Sequence, residues 1–189
     1  MTVDGHLTPI EESRAAEALV VFAAIAGCLA LASRPMVTAP ALVITVAVGV
    51  AGALAPTPIK ADENAGRRAV MWVAACVLGI VAFASIRIAS VVPPAPASLR
   101  VASMVVVAAV AEELFFRRFL YGTLVRYGAG VAIAGSAFAF ALVHIPWYGV
   151  TSFPIDLAAG FVLSWQRWAT GSWTASAASH AAANLMAIL

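Results

Sequence analysis

Seven apolar runs, set apart by short polar or proline-rich breaks, constrain this chain more than any other feature. They cover residues 15–33, 37–55, 69–92, 99–126, 129–146, 153–168 and 173–189. Each is within reach of the roughly 17–25 residues that a helix needs to cross a bilayer core. A backbone in hydrocarbon must satisfy its own hydrogen bonds, and for runs of this length the helix does so. The punctuation agrees, with Arg34-Pro35 closing the first run, Pro56-Thr57-Pro58 the second and Pro93-Pro94-Ala95-Pro96 the third. Composition decides between a membrane and a soluble bundle. Only 11% of the 189 residues are charged and 63% are hydrophobic, whereas a soluble domain carries about 25% charged residues. The expected fold is an all-α, polytopic transmembrane helix bundle of about seven spans.

The basic residues give an orientation once Arg87 and Arg117, which look embedded, are left out. Arg14, Lys60, Arg67, Arg68, Arg118, Arg126 and Arg167 fall on one side, and only Arg34 and Arg100 on the other. By the positive-inside rule the N-terminus is cytoplasmic. Residues 1–14 hold Asp4, Glu11, Glu12 and a solvated His6, not the basic start of a secretory signal, so the first run stays as a span. The expected organisation is a cytoplasmic tail over 1–14, N-terminal transmembrane helices over 15–100 and a helical core over 101–189. Such a protein sits in the lipid bilayer as a multi-pass protein of the plasma membrane. A net charge of +2 with no basic stripe interleaved with aromatics gives no reason to expect nucleic acid. Cys28 and Cys76 lie inside apolar runs and read as small buried hydrophobes.

Glu112, Glu113 and Arg117 stand inside the fourth run. Each charged group at mid-bilayer costs roughly 2.5–3.5 kcal/mol on insertion scales, so such groups are functional candidates by default. Glu113 and Arg117 are four residues apart, one turn along the same helix face, and can neutralise each other. Glu112 points about 100° away and has no partner within its own helix. It is the candidate general base. The alternative is that all three form a structural polar cluster between helices.

Two later runs carry isolated histidines, His144 and His180, and Asn184 lies one turn beyond His180 on the same face. At about 1.5 Å per residue, Glu112 lies about 21 Å above Arg126 and His144 about 22 Å above Ala129, so the two reach one level. His180 lies only about 10 Å above Trp173 and joins them only if its helix starts deeper. Small residues crowd these helices, as in Ala175-Ser176-Ala177-Ala178-Ser179, and allow close approach.

Glu112-Glu113-x-x-x-Arg117, Phe140-x-x-x-His144 and His180-x-x-x-Asn184 resemble the three motifs of the CPBP family of CAAX-processing and bacteriocin-processing (Abi) intramembrane endopeptidases. The contexts Glu113-Leu114-Phe115-Phe116-Arg117 and Thr170-Gly171-Ser172-Trp173 are similar to the family's too. Arg118 departs from the pattern, and the first three runs show no motif. The resemblance implies hydrolysis of a peptide bond in a membrane protein or peptide substrate, at a site in the membrane near a cytoplasmic-side cavity. It implies Glu112 as the base that activates water, His144 as the residue that positions it, and His180 and Asn184 as oxyanion donors. Glu113 and Arg117 would hold the charge balance around them. No cofactor is expected on that route. The alternative is a zinc ion held by Glu112, His144 and His180 with one open position, Glu113 then serving as base.

Other chemistries fit less well. No Gly-x-Ser-Gly accompanies Ser136, and Asp4, Asp62 and Asp156 cannot form a membrane-embedded aspartate pair. Arg87 and Asp156 are expected to pair structurally. A proton-coupled transporter or a non-catalytic membrane adaptor would use the same buried groups.

Overall fold

The computed structural model describes residues 9–34, 38–55, 65–89 and 97–188, and among these there is no strand. The helices are α1 (Pro9–Ser33), α2 (Ala39–Leu54), α3 (Ala65–Ala89), α4 (Leu99–Glu113), α5 (Tyr121–Leu124), α6 (Ala129–Tyr148), α7 (Phe153–Thr170) and α8 (Trp173–Ile188). A π-helical segment, Leu114–Leu120, joins α4 to α5 without a break. The described residues thus form seven rods, one for each apolar run. Thr38 caps α2 by accepting from Ala41 N at 3.3 Å, with Pro40 in the first turn where no amide donor is needed. Gly171, at φ +68°, ends α7 in the left-handed conformation that lets α8 start two residues later.

Helix ends and the π segment leave backbone carbonyls that need donors, and side chains from neighbouring rods supply them. Ser136 Oγ donates to Phe116 O at 2.9 Å and Arg167 Nε to Arg117 O at 3.1 Å. Arg118 donates to Gly52 O at 2.6 Å and Ala55 O at 3.1 Å, closing the C-terminal end of α2. The acidic motif is therefore locked to α2, α6 and α7 just below its two carboxylates.

Close approach explains the small residues. A methyl group added at Gly49 of α2 would fall 2.6 Å from Ala111 O on α4, and one at Gly160 of α7 would fall 2.8 Å from Ala137 O on α6. Backbone meets backbone at both crossings. Gly49→Val is expected to push α2 from α4 and destabilise the protein by roughly 1–3 kcal/mol, the usual range for overpacking, read as a lower unfolding midpoint. An unchanged midpoint would contradict this packing.

Large apolar side chains face outward as well as inward. Leu19, Phe22, Ile25 and Leu29 form an exposed stripe on α1, and Val70, Val73, Val77 and Val81 another on α3. Two helical stretches, Ala15–Ser33 and Ala129–Tyr148, are long and apolar enough to cross a membrane. The inner core is built on Leu31, Phe115, Phe116, Phe119, Phe140 and Leu163, directly beneath the site.

Several expectations lie outside the described residues: the fate of His6, the polar loop through Lys60, the breaks at 56–58 and 93–96, and the side chains of Arg14, Arg67, Arg68 and Arg87. Asp156, the expected partner of Arg87, accepts from Ser152 Oγ at 2.7 Å.

Candidate active site

The two adjacent carboxylates at the end of α4 point to different partners because successive helical residues are turned about 100° apart. Glu113 and Arg117 are fully buried, and Arg117 Nη1 lies 3.0 Å from Glu113 Oε1. Arg117 Nη2 also donates to Gly160 O at 3.2 Å, and its guanidinium lies 4.6 Å from the centre of the Phe140 ring. The i,i+4 pair expected from spacing is present and is tied to α6 and α7.

His180 Nδ1 lies 2.9 Å from Glu113 Oε1. A carboxylate only accepts, so Nδ1 carries the hydrogen and Nε2 is turned toward Glu112. His144 follows the same logic on α6: its Nδ1 lies 2.7 Å from Phe140 O, one turn back, and that carbonyl also accepts. Both Nε2 atoms lie 3.9 Å from Glu112 Oε2. The carboxylate oxygen and the two imidazole nitrogens converge on one space, too far apart to bond directly and suitably spaced for a bridging water. Tyr148 stacks on His144 at 6.0 Å between ring centres, with the planes only 10° apart.

The level of His180 follows from the start of α8. Thr174 accepts from Trp72 Nε1 at 3.0 Å, and Trp72 lies seven residues into α3. The first turn of α8 is thus recessed by about 10 Å along the bundle, which lifts His180 to the level of Glu112.

Glu112 has no partner within its own helix, as expected, but it is paired from outside that helix. Arg34, at the end of α1, places Nη2 2.5 Å from Glu112 Oε1 and donates from Nη1 to Thr45 Oγ1 on α2. Arg34 is only 5% exposed, although its place after an apolar run reads as a loop anchor. Trp147 covers it, with the guanidinium carbon 3.9 Å from the ring centre, and donates from Nε1 to Ala32 O at 3.2 Å. Trp147 and Tyr148, the aromatic pair at the end of α6, therefore line the site. Asn184 Nδ2 donates weakly to Val105 O at 3.4 Å.

A cavity of about 400 Å³ adjoins these groups. Leu42, Phe83, Met104 and Ile155 make its walls apolar, and Glu112, His144, His180 and Asn184 reach its lining. Zinc would draw on Glu112, His144 and His180. Among the described residues, however, no three His, Cys, Asp or Glu side chains gather closely enough to hold a metal ion. The Arg34 guanidinium also already shares Glu112. The residues as placed do not make that ligand set.

Fold and site together define an all-helical protein with a buried carboxylate–histidine centre beside an apolar cavity. Residues 93–186 match the model of the Type II CAAX prenyl endopeptidase Rce1-like family, a segment that holds all three motifs from Glu112 to Asn184. The chain is thereby related to the CAAX proteases of the CPBP family. The match and the apolar helices make it a membrane protein. No curated protein and no solved structure matches the chain.

Proposed function

We propose that this protein is an intramembrane endopeptidase that cleaves a peptide bond in a membrane-associated protein or peptide. The observation that carries the reading is the convergence of Glu112 Oε2 with the Nε2 atoms of His144 and His180, 3.9 Å away in each case, at the wall of an apolar cavity. A water held among them attacks the substrate carbonyl carbon and passes its proton to Glu112, with His144 fixing its direction. The collapsing intermediate returns that proton to the leaving amine. His180 and Asn184 face the developing oxyanion, which requires a hydrogen on His180 Nε2. Glu113 accepts from Nδ1 and holds the ring in that orientation, as a triad aspartate does for its histidine. Arg117 in turn balances Glu113.

The seven rods are proposed as seven spans with the N-terminus cytoplasmic, in the plasma membrane. Glu17, near the start of α1, meets Arg126 at 3.4 Å, whereas Arg34 at its other end meets the cavity. The cavity lies in the half of the bundle remote from the N-terminus. A cytoplasmic N-terminus and a cytoplasmic-side cavity therefore exclude each other. The burial of Arg34 removes one of only two basic residues opposing the orientation, which supports a cavity toward the outer face. Labelling of a cysteine placed at Thr38 by a membrane-impermeant maleimide from outside intact cells is the expected result; labelling only after lysis would reverse the orientation.

The reading is tested by following cleavage of a pool of membrane-anchored peptides in lipid. Wild-type turnover by Glu112→Ala and His144→Ala together would rule the mechanism out. Purified enzyme is expected to keep its turnover after exhaustive chelation. Loss on chelation that zinc restores would replace the metal-free route with the zinc one.

A further inference from the structure

The family match begins at residue 93, yet the carboxylate at the centre of the site takes its counter-charge from residue 34. We propose that Arg34 is a positioning residue of this site: it holds Glu112 as an ionised carboxylate and turns Oε2 toward the two histidines. The inference rests on the endopeptidase reading for its kinetic consequence but not for its structural one.

Geometry supports the assignment on three sides. Arg34 grips Oε1 alone, so the carboxylate cannot rotate freely and the other oxygen is fixed on the side of His144 and His180. Thr45 and the Trp147 ring hold the guanidinium from α2 and α6, and Thr45 is itself anchored to Ala41 O at 2.8 Å. Arg117 cannot substitute, because Glu113 and Gly160 O take both its terminal nitrogens. Arg34 just after α1 lies 2.5 Å from the Glu112 carboxylate, and His144 from α6 and His180 from α8 lie 3.9 Å from it, and of these three only Arg34 is a permanent cation; Arg117 and Tyr148 act on Glu112 from farther away. An isolated carboxylate in apolar surroundings neutralises itself by taking up a proton. A neutral Glu112 could not accept one from water. The first two helices are thus part of the working site.

Two measurements on full-length protein in lipid vesicles test this. The first needs no activity: reaction with dicyclohexylcarbodiimide, which adds to protonated carboxyl groups in apolar regions, is mapped by mass spectrometry. Glu112 is expected to stay unlabelled at neutral pH in wild type and in Arg34→Lys, and to become labelled in Arg34→Met, with Glu113 unlabelled in all three. Equal labelling of Glu112 in wild type and Arg34→Met overturns the proposal whatever the protein does. The second is kinetic. Arg34→Met is expected to lose about 100-fold in kcat with KM changed less than about threefold, the signature of a group acting on the chemical step. Arg34→Lys is expected to recover at least tenfold of that loss. Wild-type kcat in Arg34→Met, alongside an inactive Glu112→Gln, would overturn the positioning role and leave the endopeptidase reading standing.

Discussion

Arg117→Ala is expected to destabilise the protein by roughly 3–5 kcal/mol, the cost of removing one partner from a buried ion pair. Arg117 and Glu113 are both fully buried, and Glu113 Oε2 has no hydrogen-bond partner among the described residues even in the wild type. Without the guanidinium, Glu113 keeps only His180 Nδ1, and Gly160 O loses its donor. The loss also removes the cation stacked against Phe140, at the contact between α6 and the π segment. Reversible unfolding in mixed micelles measures the change. The neighbouring Arg118 provides the contrast: it is half-buried, pairs with no carboxylate among the described residues and caps α2. Arg118→Ala is expected to cost no more than about 2 kcal/mol, the range for hydrogen bonds from a charged donor. Equal losses at the two positions would deny the buried pair its structural role.

How far the sequence could be read depended on whether the signal was local. The seven rods were legible because apolar length and proline breaks act along the chain, and the described helices follow the expected bounds closely except at α1, which begins at Pro9, inside the stretch expected as a polar tail. Glu113–Arg117 was legible because one helical turn separates them. The common level of Glu112 and His144 followed from rise per residue alone. What lay out of reach was vertical offset and partner choice between distant helices. The start of α8 is recessed because Trp72 fixes Thr174 part-way along α3, and no spacing in the sequence encodes that. Arg34 was missed for the same reason. Its place between an apolar run and a proline suits a loop anchor, and the residue that buries it, Trp147, lies more than a hundred positions away. One signal pointed to it: Glu112 needed a cation, and few arginines stand at that end of the bundle.

The place of Glu112 Oε2 between the two histidines gives the second large expectation. Glu112→Gln keeps the side-chain volume but removes the group that takes the proton, and it is expected to lower cleavage by roughly 10²–10⁴-fold, the range for general-base catalysis. Because Oε1 meets Arg34 and Oε2 faces the histidines, the amide would also present N–H groups where acceptors stand. Folding should survive, since the substitution is isosteric and leaves the Glu113–Arg117 pair intact. His144→Ala is expected to fall in the same range through loss of the direction of attack, and the double variant should be little worse than either alone, as for residues that act as a unit.

The most direct measurement is therefore a matched comparison of wild type and Glu112→Gln in lipid, each incubated with the same pool of membrane-anchored peptides and the products read by mass spectrometry. New peptide termini formed by wild type and absent with the variant are the predicted result, and they would also reveal the bond preference. Equal cleavage by both proteins would contradict the account, because the proton would then be taken by a group other than Glu112.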